Sequence, residues 1–120
     1  MAMISRFEEI QAWQEARQLV KMICKLTSSG TLAKDYGLRD QIQRASVSAM
    51  TNIAEGFDCE SKLEFARFLG IARRSAVEVQ SLLYTAFDID YITNVQLREH
   101  YEQARKTKAL IGGFKRSLKK

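Results

Sequence analysis

A seam of polar residues on one predicted helix has the types and spacing of a binding site. Its members follow one another at spacings of four, four and three residues, and they are Arg44, Ser48, Asn52 and Glu55. Such spacings place side chains on one side of a helix. Ser75 and Glu78 of the next predicted helix could join them. The seam could bind a small polar ligand or an ion, but we favour a hydrogen-bonded network that fixes helix register or subunit contacts, because buried polar groups need partners.

Basic residues are concentrated at the carboxyl end of the chain. The net charge is +5, yet the first 104 residues carry 14 acidic and only 12 basic residues. The remaining residues contain no acid and seven bases, which are Arg105, Lys106, Lys108, Lys115, Arg116, Lys119 and Lys120. Such a surface could bind nucleic acid by neutralising phosphates, without reading the base sequence. The other interpretation is an ordinary solvated helix end, where cations suit the negative pole of the helix dipole.

Motifs for catalysis or metal binding are missing from the sequence. His100 is the only histidine, and Leu97 stands where the E-x-x-H motif of di-iron bundles would require a glutamate. Neither Cys24 nor Cys59 belongs to a motif that places a base beside it, and there is no glycine-rich phosphate loop. We therefore expect no catalytic residue, no metal site and no cofactor, and we predict that the protein is not an enzyme.

The composition favours helices almost everywhere. The chain has no proline, and 46% of its 120 residues are apolar, which suits one all-α domain over residues 1–120 with a single core. The amino terminus lacks the pattern of a secretion signal, and no segment approaches the roughly eighteen apolar residues of a membrane span. We therefore expect a soluble, cytoplasmic protein with no membrane partner.

Capping boxes indicate where three of four helices begin. In this motif a Ser or Thr side chain and an acid or amide three residues later satisfy free backbone N–H groups of the first turn. The pairs are Ser5 with Glu8, Ser61 with Glu64, and Thr93 with Gln96. We expect the first helix to end near Gly30, the second to end at Gly56 and the third to span residues 62–88. Short connections predict an antiparallel up-down-up-down four-helix bundle.

The second predicted helix has two apolar lines. The first line faces a core and consists of Leu38, Ile42, Ala45, Ala49 and Ile53. The second lies about a third of a turn away and consists of Val47, Met50, Ala54 and Phe57. One core-facing stripe does not usually extend so far round a helix. We therefore predict that the second line is a contact between side-by-side copies of the chain.

Two segments together resemble a known family. The first contains Q-I-Q-R-A-S-V-S at residues 41–48 and N-I-A-E-G at residues 52–56, and the second is E-F-x-x-F-L-x-I-A-x-x-S-x-x-E at residues 64–78. The chain resembles, over nearly its whole length, the four-helix bundle proteins associated with intervening sequences of bacterial 23S ribosomal RNA genes. This resemblance implies a ring-like homopentamer with no established enzymatic activity.

A distant relative of that fold makes RNA a partner to consider. This relative, the accessory variability determinant of diversity-generating retroelements, is a basic pentamer that binds nucleic acid and a reverse transcriptase. The acidic turn at residues 58–60 departs from the basic run common in the family, so we look to the carboxyl-terminal helix instead. We expect a non-enzymatic oligomeric scaffold that binds RNA or an RNA–protein complex there. The alternative is a structural or protein-binding oligomer that binds no nucleic acid.

Overall fold

The computed structural model describes residues 3–118, and those residues form helices and turns without a β-strand. A 3-10 turn at Phe7–Glu9 precedes five helices, which are α1 (Gln11–Leu26), α2 (Gly30–Lys34), α3 (Tyr36–Phe57), α4 (Lys62–Asp88) and α5 (Asn94–Ser117). The prediction of an all-α protein is therefore confirmed. None of these helices combines the length and apolarity that a membrane crossing requires.

The four long helices pack along the length of a molecule that measures 45 × 22 × 19 Å. The most extensive contacts join α3 to α4 and α4 to α5, and α1 packs against both α3 and α5. Aromatic rings of α4 meet rings of α5 in two places, Phe65 with Phe114 and Tyr84 with Tyr101. From the first contact to the second, the residue number rises from 65 to 84 on α4 and falls from 114 to 101 on α5. These two helices therefore run in opposite directions.

The interior consists of two apolar clusters, one toward each end of the molecule. The first is formed by Leu19, Ile23, Leu32, Ile42, Ala45, Val79, Leu82, Leu83, Ala86, Ile92, Leu97 and Ala104. The second is formed by Ile10, Ala12, Trp13, Ala16, Ile53, Phe65, Leu69, Ala72 and Ile111. The predicted core-facing line of the second helix contributes to both clusters, which follows from the period of an α-helix.

The capping box of α5 is complete as predicted, whereas at α4 only the half supplied by Ser61 is present. Ser61 Oγ accepts a hydrogen bond of 3.0 Å from the backbone N–H of Glu64. At the start of α5, Thr93 Oγ1 accepts from the N–H of Gln96 at 3.1 Å, and Gln96 Oε1 accepts from the N–H of Thr93 at 2.9 Å. The predicted limits of α4, residues 62 and 88, are confirmed. Its start could be predicted from the sequence because it depends on this local hydrogen bond.

The first helix begins later than its capping box indicated. Ile10 has an extended conformation, with φ −75° and ψ 119°, and it separates the 3-10 turn from α1. The carboxylate of Glu9 accepts hydrogen bonds from the backbone N–H groups of Ser5 and Arg6 at 2.8 and 3.1 Å. The prediction of a start at Ser5 was wrong, because these polar residues close a local turn instead of a helix.

The segment that follows α1 is more ordered than a simple connector. Gly30 has a φ of +70°, the left-handed conformation predicted for it, but it does not close the first helix, which already ends at Leu26. It opens the short helix α2 instead. Leu32 anchors α2 because its side chain is only 1% exposed. Asp35 then caps α3 by accepting a hydrogen bond of 3.2 Å from the N–H of Leu38, and its other oxygen accepts from the Tyr91 hydroxyl at 2.9 Å.

Gly56 does not end α3, which contradicts the sequence-based expectation. The helix continues to Phe57, and Gly56 is buried against α4. A Cβ atom at this position would lie 2.7 Å from Cβ of Phe68 and 2.8 Å from Cδ1 of Phe65. Glycine is therefore needed here for close packing of two helices.

Candidate functional site

The polar seam borders an open groove between α3 and α4. This polar groove has a volume of about 560 Å³ and is lined by Gly37, Asp40, Gln41, Arg44, Ala45, Ser48, Ser75 and Glu78. Four of the six residues predicted for the seam are therefore on its wall. The groove contains acidic and basic groups together, so it has no strong preference for an anion or a cation.

Three of the predicted seam residues form a continuous hydrogen-bonded chain. Asn52 Nδ2 donates to the carbonyl oxygen of Ser48 at 2.8 Å and to its Oγ at 3.0 Å. The Oγ atoms of Ser48 and Ser75 are 2.8 Å apart, and Ser75 Oγ donates to the carbonyl oxygen of Ile71 at 3.0 Å. Each hydroxyl can thus donate once and accept once, which links α3 to α4 through neutral groups. This geometry supports the network interpretation of the seam.

The charged members of the seam lie outside this chain. Arg44 and Glu78 are exposed at the wall of the polar groove. Glu55 is also exposed, and between residues 3 and 118 its side chain accepts no hydrogen bond from the seam. The structure therefore brings Ser48, Asn52 and Ser75 together and leaves Glu55 apart.

Acidic residues already neutralise two of the bases predicted to bind nucleic acid. Arg105 donates to both carboxylate oxygens of Glu102, at 2.8 and 2.6 Å, and these bonds raise the pKa of Arg105 and lower that of Glu102. Lys106 Nζ lies 3.4 Å from Oε1 of Glu15. Among the bases predicted to bind nucleic acid, those that lie in the described part of the chain and have no ion pair there are Lys108, Lys115 and Arg116. Lys119 and Lys120 lie outside the described residues.

Glu15 connects α1 to α5. Gln103 Nε2 donates to its carboxylate at 2.9 Å and to its backbone carbonyl at 2.9 Å. The hydrogen bond from Gln103 and the charge of Lys106 together lower the pKa of Glu15 below its ordinary value of 4.5. Glu15 and Gln103 therefore have a structural role between α1 and α5. Lys106 is less available to a ligand because it is paired with the same carboxylate.

Arg73 and Arg74 of α4 lie beside the unpaired bases of α5, an arrangement that the sequence analysis missed. We call the surface formed by Arg73, Arg74, Lys115 and Arg116 the cationic cleft. An open cleft of about 260 Å³ is lined by Arg73, Gly112, Lys115 and Arg116. Both helices carry the same pattern there, since G-I-A-R-R occupies residues 70–74 and G-G-F-K-R occupies residues 112–116. Two bases placed three and four residues after a glycine are the signal that could have identified it.

The predicted oligomer contact is partly occupied within the chain. Met50, Ala54 and Phe57 are partly buried against the second apolar cluster, and the ring of Phe57 meets that of Phe65 edge to face at 6.0 Å. Val47 is 41% exposed. Most of the second apolar line therefore packs within the chain, and contact with another copy stays a prediction.

The histidine and the cysteines do not form a site with one another. His100 Nδ1 lies 2.7 Å from the carbonyl oxygen of Gln96 on its own helix, while Cys24 is exposed and Cys59 partly buried, both as free thiols. Among residues 3–118, no group of three or more histidine, cysteine, aspartate or glutamate side chains is arranged to hold a metal ion.

Comparison with known proteins agrees with this fold. A crystal structure of a protein of unknown function from the S23 ribosomal protein family of Bacteroides thetaiotaomicron is similar, with a TM-score of 0.79 and 22% sequence identity. The match covers 86% of this chain and 96% of that one. No curated protein matches the chain in sequence. The family model for the 23S rRNA-intervening sequence protein matches residues 8–113, so the chain belongs to that family.

Proposed function

We propose that this protein is a non-enzymatic, single-domain four-helix bundle that forms a homopentamer and binds RNA or an RNA–protein complex through α5. The observation that carries this proposal is a group of bases in the carboxyl-terminal half of α5 that have no ion pair within residues 3–118, which are Lys108, Lys115 and Arg116. Bases whose charge is not already neutralised are the ones that gain most from a phosphate.

The packing of the long helices supports the bundle. α1 and α4 each pack against both α3 and α5, so the four helices can be traced as a closed ring of neighbours. Antiparallel neighbours with short connections are typical of up-down-up-down bundles. Side-by-side assembly of such bundles would repeat the bases of α5 around a symmetry axis, and the repeated charge would strengthen attraction of a polyanion.

The charge on α5 also favours contact with phosphate over a purely structural role. Arg105 is held by the exposed acid Glu102, and exposed surface pairs contribute little to stability. A phosphate could therefore replace Glu102 as the partner of Arg105 at little cost. Phosphate contacts release condensed counterions, so we expect binding that weakens steeply as salt rises.

The test is equilibrium binding of a labelled structured RNA across a salt series. The variant changes Lys108, Lys115 and Arg116 to glutamine. The control changes Lys21, Lys25 and Lys34 to glutamine, which removes the same charge from exposed bases outside α5. We expect about a tenfold loss of affinity or more in the α5 variant, a much smaller loss in the control, and a shallower salt dependence in the α5 variant.

The same experiment addresses a second candidate function. The neutralisation of Arg105 and Lys106 within the chain favours a structural or protein-binding oligomer. If the wild-type protein does not bind the RNA at low salt, the RNA proposal fails and this second candidate takes its place. If the control loses as much affinity as the α5 variant, the binding reflects total charge and not a surface on α5.

A further inference from the structure

We propose that the cationic cleft binds a phosphate group, with α4 supplying half of the cations. This inference deepens the proposed function, on which its RNA arm rests, because it extends the phosphate-binding surface beyond α5. The phosphate could belong to an RNA backbone or to a small phosphate compound, and the two sources share the chemistry that the cleft would recognise. The experiment below separates them.

Each helix provides a glycine over which bases of the cleft lie. A Cβ atom at Gly70 of α4 would lie 3.3 Å from Nζ of Lys115 and 3.7 Å from Nη1 of Arg74. Both nitrogens are close to the same point, so they are at most about 7 Å apart, which is within the Debye length at physiological salt. Salt therefore screens the repulsion between the two cations only in part.

The arrangement is reciprocal on the other helix. A Cβ atom at Gly112 of α5 would lie 3.4 Å from Nη1 of Arg116 and 3.5 Å from Nε of Arg73. Thus a base of α5 lies over the glycine of α4, and a base of α4 lies over the glycine of α5. The opposite directions of α4 and α5 convert the repeated sequence pattern into one continuous patch of positive charge.

Backbone conformation does not explain these glycines. Among the described glycines only Gly30 has a positive φ, so Gly70 and Gly112 have conformations that any residue can adopt. Glycine inside a helix is unfavourable compared with alanine. Gly56 is explained by the aromatic side chains that its Cβ would overlap, whereas the atoms nearest to a Cβ at Gly70 or Gly112 belong to Lys and Arg side chains. The glycines therefore leave room for the cations themselves.

The charge of the cleft is not neutralised within the described residues. Five other bases in residues 3–118 are within 4.0 Å of a carboxylate, namely Arg6, Arg39, Arg67, Arg105 and Lys106. None of the four bases of the cationic cleft has such a partner there. Four like charges crowded together repel one another, and a bound anion removes that repulsion.

The donors suit a phosphate group. Arginine presents a planar fork of N–H donors that matches two phosphate oxygens, and lysine adds a compact positive charge. Two arginines and one lysine line the open space, and Arg74 lies beside Lys115 at Gly70. Three of these four bases are exposed, while Lys115 is partly buried. The cleft is open to solvent, so a phosphate that is part of a longer chain can enter it as readily as a free one.

The test uses the full-length protein with two probes, a labelled structured RNA and inorganic pyrophosphate. The first variant changes Arg73 and Arg74 to glutamine, and its matched control changes Lys21 and Lys25 to glutamine. We expect the first variant to lose about tenfold in affinity for both probes, and the control to change by less than about twofold. For the RNA, the slope of log affinity against log salt concentration should become shallower by roughly one phosphate contact.

A second variant, Gly112→Ala, keeps every charge and adds only a methyl group beneath Arg73 and Arg116. We expect it to weaken binding several-fold without lowering the melting temperature, because alanine favours the helix. This variant distinguishes the shape of the cleft from its charge. If it binds both probes as the wild type does, the glycine does not shape a phosphate site and the proposed cleft geometry is wrong.

The remaining outcomes separate this inference from the proposed function. If the Arg73→Gln, Arg74→Gln variant binds both probes normally while the α5 variant loses RNA binding, the cleft proposal is overturned and the proposed function stands. If the wild type binds pyrophosphate but not RNA, and the Arg73→Gln, Arg74→Gln variant loses that binding, the cleft is a site for a small phosphate compound and the RNA function fails. If neither probe binds, both proposals fail.

Discussion

Gly56 sets how closely α3 and α4 approach each other. Its missing side chain makes room for Phe68 and Phe65, whose atoms would overlap a Cβ at this position. We expect Gly56→Ala to lower the free energy of unfolding by about 1–3 kcal/mol, the usual cost of overpacking. Gly37→Ala is the control, because a Cβ there would meet only Oδ1 of Asp35, at 3.8 Å. Urea unfolding measures the free energy of unfolding of both variants. A Gly56→Ala variant as stable as the wild type would contradict the close packing.

Glu15 makes stability depend on pH. Its pKa is lowered in the folded protein, first by the hydrogen bond from Gln103 and then by Lys106. A carboxyl with a lowered folded pKa contributes stability that is present above its unfolded pKa and is lost as pH falls through its folded pKa. The contribution is therefore fully present at neutral pH, begins to fall near the ordinary value of 4.5 and is lost as pH drops through the lowered folded pKa.

This dependence can be measured with Glu15→Gln. We expect the variant to be less stable than the wild type at pH 7, and the difference to shrink as pH falls below about 4.5. Glu99→Gln is the control, since Glu99 is exposed and has no ion pair within residues 3–118. Urea unfolding at several pH values provides the comparison, and a difference that stays constant with pH would refute the role of this carboxyl.

At the scale of elements, α5 depends on a complete capping box. Thr93 and Gln96 exchange two hydrogen bonds and satisfy N–H groups that have no partner within the helix. We expect Thr93→Ala to cost about 1 kcal/mol of stability. Thr85→Ala is a matched control, because Thr85 is exposed in the interior of α4, where alanine is the better helix former. Thermal unfolding of both variants tests the contribution of the cap. If Thr93→Ala and Thr85→Ala melt at the same temperature, the cap does not stabilise the protein.

The same motif has different consequences at the amino end. Ser5 was predicted to start a helix by the rule that holds at Ser61 and Thr93, yet Glu9 closes a 3-10 turn there. The reason is that Ile10 is buried at 1% exposure in the second apolar cluster and is extended. Burial of this side chain outweighs the small local preference for a longer helix, so tertiary packing decides where α1 begins.

At the scale of the whole molecule, the proposed assembly can be tested at Val47. This residue is 41% exposed and extends the second apolar line of α3 beyond the part that packs within the chain. We expect Val47→Glu to lower the mass of the oligomer measured by light scattering, with an unchanged melting profile of the dissociated chain, because a charge cannot be buried without a partner. Val95→Glu, at a residue that is 53% exposed on α5, is the control. A monomeric wild-type protein at micromolar concentration would remove the oligomer proposal.

The local features of this protein were determined by its sequence alone. The limits of α4, the caps at Ser61 and Thr93, the left-handed Gly30 and the excess of bases on α5 depend on neighbours in the chain. The core-facing line of the second helix was also predictable, because its residues share one side of a helix whichever partner covers them. The family was likewise expected from the resemblance of two segments, and the family model confirms it.

Only the tertiary structure decided which distant residues meet. Lys106 is paired because Glu15 of α1 lies beside it, and Gly56 is a packing residue because α4 crosses there. The cationic cleft exists because α4 and α5 run in opposite directions, which brings Arg73 over Gly112 and Lys115 over Gly70. The spacing of apolar residues and the capping residues predict each helix separately. Contacts between helices depend instead on the direction and rotation of one helix relative to another. Those are decided by how the apolar side chains of both clusters fill the interior.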